Sequence, residues 1–397
     1  MAGLAVLALA YVVSHFYRSF LAVLSPALTA ELGLSPDVMS AALGYWFVAF
    51  GLSQFPVGWL LDRVGPKRTT AFMFALGAGG GAVVFAMANG KLAVQLAMVM
   101  LGIGCAPVLM ASVYIFRRSF RPELMATLTS SFIAVGLMGN IVGTLPLAWL
   151  MEAVGWRAIL WGLVVVTLVL ALCTLALVQD PPRAEGAGKG GRDGYLTILA
   201  MPHLWPLLPI LFFSYAVAGG LRGIWAGPYL TDVHGLDAAG IGSITFTMAL
   251  AMAVGSFVYG PLDRIVGSRK LVVAVGLLPT LGAVWWWWAN PGMSPTAVTV
   301  ALTVMGFGML YGVLIAQATA TVPDHLAGRA ATLINFFNMG GVGFMQLVTA
   351  QAFSGAETPG EPLAGYQAVL TVYAITITVA WLIYLLSRDV RPASAER

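Results

Sequence analysis

Two arginines lie in the middle of long apolar stretches, where a charge is expensive to place. Arg18 lies within the stretch 4–30 and Arg222 within the stretch 204–231, whereas all 16 Asp and Glu residues fall in loops or near the ends of such stretches. A guanidinium keeps its charge and holds a carboxylate, sulfonate or phosphate through two hydrogen bonds. Because buried cations need a counter-charge, the pair predicts a clamp for an anionic substrate. The alternative is that each arginine bonds to helix carbonyls or extends towards the polar boundary.

A histidine accompanies the first arginine. His15 lies one helical turn before Arg18 and on roughly the same face. Since the reference pKa of histidine is about 6.5, His15 is a candidate carrier of a coupling proton where no carboxylate is available. Equally, a histidine beside a cation stays neutral and donates a hydrogen bond. The sequence leaves both alternatives open.

Aromatic and amide side chains within the apolar stretches are further candidates for substrate binding. Such groups either orient a substrate or join neighbouring helices through hydrogen bonds. The candidates that we assign to the binding site are Tyr17, Trp225, Tyr311, Asn335 and Asn338.

Two methionine pairs suggest a different ligand. Met248 and Met252 are four residues apart, as are Met305 and Met309, so each pair can present two thioethers on one helix face. Thioethers suit Cu(I), but deformable packing is the commoner role of methionine. The two central arginines would repel a cation. Cu(I) is therefore kept as a minority alternative, and no resident metal or cofactor is predicted.

Patterns typical of enzymes and of nucleic-acid-binding proteins are missing from the sequence. We find no nucleophile motif, no phosphate-binding loop and no His, Asp or Glu spacing for a metal. The basic residues are scattered in short loops instead of forming a patch. The sequence therefore predicts neither an enzyme nor a nucleic-acid partner.

The elements that must position these side chains are apolar helices. Hydrophobic residues make up 59% of the 397 residues and charged residues only 9%, unlike soluble domains. Since one bilayer crossing takes about 20 apolar residues, we predict an all-α membrane protein with twelve transmembrane helices. The predicted spans are 4–30, 38–61, 69–88, 92–116, 124–151, 157–178, 204–231, 238–261, 271–290, 294–320, 328–354 and 366–387.

The loop charges predict the orientation of these spans. If both termini are cytoplasmic, the inside loops and the tail hold sixteen of the 20 Lys and Arg residues, and only Lys91 and Arg157 lie outside. This bias follows the positive-inside rule. We therefore predict a multi-pass protein of the cell inner membrane, with the lipid bilayer as its surroundings.

The chain repeats itself across a hydrophilic stretch. The sequence from Pro26 to Gly33 is echoed from Pro228 to Gly235, and a later loop recurs at nearly the same offset. A duplicated six-helix unit leaves such a pattern. The predicted organisation is an N-terminal bundle over 1–178, a cytoplasmic linker over 179–203 and a pseudo-symmetric C-terminal bundle over 204–397.

The loop that recurs carries a family signature. The sequence from Gly58 to Arg68, Gly-Trp-Leu-Leu-Asp-Arg-Val-Gly-Pro-Lys-Arg, resembles the motif between the second and third helices of the major facilitator superfamily, and a degenerate second copy runs from Gly260 to Lys270. The resemblance implies alternating access, a central cavity lined by the first and seventh helices, and a monomer. It also implies that the acidic and basic residues of these loops form the latch of the outward-facing state, namely Asp62, Arg63, Asp263 and Arg264.

These observations predict a secondary active transporter that moves a small solute, with an organic anion as the favoured cargo, by anion exchange or proton symport. The resemblance extends to the layout of organophosphate exchangers in this superfamily, which carry arginines on the same two helices. The alternatives are uptake of a neutral nutrient such as a vitamin, Cu(I) import through the methionine pairs, and a membrane sensor on a transporter scaffold.

Overall fold

The structure is a computed structural model that describes residues 2–121, 125–181, 193–323, 326–358 and 361–389. The regular elements of these residues are helices, and one isolated β-bridge joins Thr358 and Glu361. The chain divides into two compact units, Met1–Gly190 and Gly191–Arg397. The boundary between the units lies inside the predicted linker.

The described part of the first unit is built from nine α-helices and a π-helical segment. In chain order they are α1 (Ala2–Phe16), α2 (Phe20–Leu32), α3 (Pro36–Arg63), α4 (Pro66–Met73), the π segment Phe74–Gly79, α5 (Gly80–Ala86), α6 (Lys91–Cys105), α7 (Pro107–Ser119), α8 (Met125–Val142) and α9 (Leu145–Leu177). Several predicted spans therefore consist of two or three helical pieces joined end to end.

The first span is broken in its middle. Helices α1 and α2 meet at an angle of 47° across residues 17–19. In this turn the N–H groups of Arg18 and Ser19 donate to carbonyls only three residues back, at His15 and Phe16. The Ser19 hydroxyl also lies 3.4 and 3.3 Å from these two carbonyl oxygens. Serine hydroxyls that bond back to the preceding turn bend helices, which accounts for the break.

The fifth and sixth spans are joined through a glycine. Helix α9 runs past the predicted end of the fifth span, but Gly155 within it has φ 77° and ψ 159°, a conformation outside the helical region. The fifth span therefore comprises α8 and the first part of α9, and the sixth span begins after Gly155. Glycine suits this point because it adopts positive φ without a steric cost.

The second unit follows a similar plan. Its elements are α10 (Asp193–Leu199), the 3₁₀ turn Pro202–Leu204, α11 (Leu208–Gly220), the π segment Leu221–Trp225, α12 (Ala226–His234), α13 (Ala238–Val266), α14 (Arg269–Gly276), α15 (Leu278–Ala289), α16 (Pro295–Phe307), α17 (Tyr311–Ala320), α18 (Ala327–Ala356) and α19 (Leu363–Tyr384). The seventh span thus contains α11, the π segment and α12.

Ten helical stretches among the described residues are long and apolar enough to cross a membrane, and the bent pair α1–α2 raises this number to eleven. The predicted fifth span is not in this set, since it is divided between α8, of which Ser131–Val142 counts as a shorter apolar helix, and the first part of α9. All twelve predicted spans nevertheless coincide with helices. The all-α membrane fold is confirmed.

The two units end their first spans in the same way. Gly33 and Gly235, 202 residues apart, both adopt the left-handed conformation, with φ 63° and 66°. In each case the glycine N–H donates to the carbonyl four residues back, at Thr29 or Thr231, and that threonine's hydroxyl bonds to the carbonyl that follows the glycine. A glycine in this position closes a helix by satisfying its last carbonyls. The repeat seen in the sequence is therefore also a repeat of local structure.

The second half of the predicted linker contains a short helix. Residues 193–199 form α10, whose Ile198 is buried, and α10 packs against α18 of its own unit. An apolar side chain that is removed from water stabilises such a short helix more than its intrinsic propensity does. Residues 182–192 lie outside the described part of the chain.

Candidate functional site

Arg18 occupies the break of the first span. Its side chain is only 6% exposed, and its Nε has no hydrogen-bond partner. Among the described residues, no carboxylate forms an ion pair with Arg18 within 4.0 Å, whereas Arg157 pairs with Glu31. In membrane transporters with broken helices, the interruptions place backbone and side-chain groups at the substrate site. The predicted central position of this cation therefore coincides with a structural irregularity.

Two aromatic rings of the second span hold the Arg18 guanidinium. Its central carbon lies 5.3 Å from the centre of the Trp46 ring and 4.9 Å from that of Phe50. The two rings stack on each other at 5.1 Å with an interplanar angle of 13°. A cation over aromatic faces is attracted by their electron density, most strongly when water is excluded. The only sequence signal for this pair is its i, i+4 spacing, which places both rings on one face of α3.

His15 and Tyr17 point to other helices of the same unit. The His15 ring lies edge-on to Tyr11 at 4.6 Å, and the backbone of α8 at Gly136 and Gly139 approaches it closely. The Tyr17 hydroxyl lies 3.3 Å from the Thr167 hydroxyl of α9. Both side chains are buried, and each has neighbours that join the first span to the fifth or sixth.

Arg222 lies in the π segment of the seventh span. It is 2% exposed, and its Nε and Nη1 atoms have no hydrogen-bond partner. The Tyr215 side chain, two turns earlier, is within electrostatic reach of the guanidinium. A π segment carries an extra residue in its turn and is frequent at functional positions. Both arginines singled out by the sequence are thus buried at irregular points of their spans.

Two further predicted residues meet near the seventh span. The Tyr311 hydroxyl donates to Asn335 Oδ1 over 3.2 Å, and the Tyr311 ring lies 6.3 Å from that of Tyr215. Tyr215, Tyr311 and Asn335 therefore form a continuous row of polar side chains in the second unit. Tyr215 escapes the sequence argument because a tyrosine in an apolar span looks like an ordinary core residue.

Trp225 and Asn338 instead join helices within the second unit. The Trp225 indole donates to the Thr349 hydroxyl of α18 over 3.0 Å, and its ring packs on Phe353. Asn338 donates from Nδ2 to the carbonyl of Leu211 on α11 over 3.2 Å. These contacts use the polar groups for interhelix hydrogen bonds, the second of the two roles that the sequence left open.

The methionines of the eighth span pack against the tenth. Met248 and Met252 are buried, and their side chains approach Gly306 of α16 so closely that a Cβ there would lie about 3.0 and 3.2 Å from them. Met305 is also buried, whereas Met309 is half-buried. At an offset of 202 residues, Met248 and Met252 correspond to Trp46 and Phe50 of the first unit.

The signature loop lines an open cleft of about 610 Å³ in the first unit. Asp62 and Tyr114 both line this cleft, and the Arg63 guanidinium carbon lies 5.0 Å from the Trp59 ring centre. These contacts stay within one unit. In the second copy, the backbone of α13 includes Asp263 and Arg264, but their side chains lie outside the described residues.

A carboxylate caps the helix after each signature loop. The Lys67 N–H, at the start of α4, donates to Asp180 Oδ1 over 2.8 Å. The Lys270 N–H, at the start of α14, donates to Asp389 Oδ1 over 3.1 Å. The first N–H groups of a helix have no partner within the helix, so an acceptor there is stabilising. Neither carboxylate stands out in the sequence, since each follows the last residue of an apolar span.

Curated relatives cover most of the chain. A glycerol-3-phosphate transporter of Bacillus subtilis (strain 168) is 25% identical over 354 residues, 80% of this chain and 78% of the relative. A D-galactonate transporter of Escherichia coli O6:H1 is 25% identical over 372 residues, 84% of each chain. A probable galactarate/D-glucarate transporter of B. subtilis is 22% identical over 367 residues, 82% of this chain and 79% of its own. These relatives are transporters and not enzymes.

Solved structures share the fold. A D-xylose–proton symporter superposes with a TM-score of 0.77 at 13% identity and covers 98% of both chains. A bacterial homolog of the human lysosomal transporter Spinster, in an inward-facing and occupied conformation, gives 0.71 at 18% identity, with 96% of this chain and 95% of the other covered. The family model of the Major Facilitator Superfamily matches residues 7–345. With its signature loop, its duplicated helical units and this match, the chain belongs to the Major Facilitator Superfamily.

Proposed function

We propose that this chain is a secondary active transporter of a small organic anion of the sugar-acid or glycerol-phosphate type. The substrates named for its relatives are glycerol 3-phosphate, galactarate, D-glucarate and D-galactonate. All of them carry a carboxylate or a phosphate, and all present several hydroxyl groups. The shared feature is an anionic group on a short polar chain.

The observation that carries the proposal is that Arg18 is buried with an unpartnered Nε and no described carboxylate beside it. The free energy lost when a charge is removed from water must be offset by other favourable interactions. The Trp46 and Phe50 faces supply part of this offset, but they leave the Nε donor unused. A carboxylate or phosphate would supply both the missing charge and the missing acceptor.

Arg222 supports the same substrate class from the second unit. It has unused donors at Nε and Nη1, and the row formed by Tyr215, Tyr311 and Asn335 belongs to the same unit, with Tyr215 two turns earlier in the same span. In this proposal Arg222 holds an anionic end of the substrate, and the tyrosine row binds its hydroxyls. Transport then follows alternating access, with anion exchange or proton symport as the coupling mode.

The remaining expectations belong to this proposal. Asp62, Arg63, Asp263 and Arg264 form the latch of one transport state, and His15 carries the coupling proton. The protein works as a monomer in the cell inner membrane, with both termini cytoplasmic. No particular contact favours a neutral vitamin as the substrate. Met248 and Met252 pack on Gly306, and this contact favours a packing role over Cu(I) binding.

The test is ligand-dependent stabilisation of the purified protein, since a ligand that binds only the folded state raises its apparent melting temperature. The probes are D-galactonate, D-glucarate, glycerol 3-phosphate, a neutral sugar alcohol and Cu(I). We expect a shift with at least one anion that is lost in Arg18→Ala and kept in Arg157→Ala, whose arginine pairs with Glu31 instead. A shift with the neutral compound or Cu(I) alone would overturn the proposal. Uptake of the stabilising anion into proteoliposomes is the second measurement.

A further inference from the structure

Beside Arg18, a second buried donor lacks a partner. The Trp46 side chain is fully buried, and its indole Nε1 makes no hydrogen bond. Buried N–H groups in proteins are nearly always bonded to a protein group, a water molecule or a ligand. Two unpartnered donors, Arg18 Nε and Trp46 Nε1, therefore occur at one point of the first unit.

The Arg18 guanidinium and the Trp46 ring lie close to each other. The guanidinium carbon lies 5.3 Å from the Trp46 ring centre. Because a hydrogen bond spans about 2.9 Å between heavy atoms, a carboxylate or phosphate can accept from both donors with different oxygens. A guanidinium held against the rings by its face also keeps its N–H edge available for an anion.

The internal repeat places different residue types at this position in the two units. The backbone of Trp46 and Phe50 lies against Gly102 of the fourth span, whereas Gly306 of the tenth span is approached by the Met248 backbone and by the side chains of Met248 and Met252. Methionine offers neither an N–H donor nor an aromatic face. The first unit therefore has an indole donor and two aromatic rings beside its buried arginine, at a position where the second unit has thioethers.

We propose that Trp46 is a substrate-binding residue, whose indole N–H donates to the anionic group held by Arg18 while its ring, stacked on Phe50, positions the guanidinium. The inference rests on the proposed function and names one of its binding residues. The ligand group is a carboxylate or a phosphate. Phe50 is a positioning residue, since it acts only through Arg18 and the Trp46 ring.

The experiment separates the donor from the ring. Trp46→Phe keeps an aromatic face over Arg18 and removes the N–H, and we expect it to weaken binding of the stabilising anion about tenfold, the usual effect of one lost hydrogen bond to a charged group. Phe50→Leu should also weaken binding, although it removes no donor. Melting without ligand checks that each variant folds. The matched control is Trp287→Phe, because Trp287 is a buried tryptophan of the second unit whose Nε1 is also unpartnered.

The outcomes distinguish this inference from the proposed function. If no anion binds the unmodified protein, the proposed function fails. If an anion binds in an Arg18-dependent way but Trp46→Phe binds it as tightly as Trp287→Phe does, only the role of Trp46 is overturned. Support requires weaker binding in Trp46→Phe than in Trp287→Phe at a temperature at which both variants are folded, and a further loss in Trp46→Leu, which removes both donor and ring.

Discussion

The backbone N–H of Lys67 donates to Asp180 over 2.8 Å, so the start of the third span is held by the residue that follows the sixth. Asp180→Ala removes this acceptor, and we expect a loss of about 1 kcal/mol in the free energy of unfolding, typical of a lost helix cap. Asp389→Ala should have a similar effect through Lys270. The measurement is thermal unfolding of the purified protein in detergent.

Glu152→Ala is the control for this prediction, because it removes an exposed carboxylate of α9 without touching either cap. Gly65→Ala should be more harmful than Asp180→Ala. Gly65 has φ 98°, and a Cβ there would lie 2.7 Å from an Asp180 carboxylate oxygen. Melting temperatures equal to that of Glu152→Ala would show that the caps contribute nothing to stability.

Lysine is expected to be a poor substitute for either central arginine. Arg18→Lys and Arg222→Lys keep the charge but lose the planar set of donors, so uptake of the anion should fall at least tenfold in each. Expression and melting without ligand should change little. Uptake at wild-type rates in both lysine variants would show that charge alone is needed at these sites.

The double variant Arg18→Ala/Arg222→Ala tests whether the two arginines serve one substrate. If both bind the same anion, the loss of binding energy in the double variant is smaller than the sum of the single losses, because removal of one contact already weakens the other. Binding of the anion by calorimetry gives the three differences. Strict additivity would indicate independent roles.

His15→Gln should remove the dependence of uptake on a proton gradient while exchange of labelled for unlabelled substrate continues. Glutamine keeps a polar group of similar length but does not titrate. The ring contact with Tyr11 makes Tyr11→Phe a suitable control, since it preserves the packing. If uptake in His15→Gln still follows the gradient, His15 serves only the contact between the first and fifth spans.

Alanine should be much more destabilising at Gly139 of the fifth span than at Gly162 of the sixth. A Cβ at Gly139 would lie 1.9 Å from the Val12 carbonyl oxygen, so Gly139→Ala must push α8 away from α1. At Gly162 nothing lies within 4 Å of the added carbon, and alanine there should be neutral or slightly stabilising. Yields and melting temperatures of the two variants compare these expectations directly. Equal values would contradict the close packing of α8 on α1.

The sequence predicts the spans and the buried arginines well because both depend on local composition. A run of about 20 apolar residues and a charge within it are visible without any knowledge of neighbours. The repeat is visible for the same reason, since Gly33 and Gly235 close their helices through contacts inside a few residues.

Contacts between spans are harder to predict. Trp46 reaches Arg18 only because the first span bends at residues 17–19, and no proline or glycine marks that bend. In the same way, the sequence does not show that the polar atoms of Tyr17 and Trp225, two predicted binding residues, lie against Thr167 and Thr349. Which side of a helix faces a neighbour is decided by the tertiary arrangement, which a single sequence does not show.

The π segment Leu221–Trp225 changes the phase of the seventh span. One residue of an α-helix corresponds to about 100° of rotation, so each extra residue accommodated by a π turn rotates everything beyond it by that amount. A helical wheel drawn for one continuous α-helix therefore gives the wrong directions for the side chains of α12 relative to those of α11. The backbone, and not the identity of Arg222 alone, determines the direction in which this cation points, and a one-residue deletion within the segment would rotate all of α12 relative to α11.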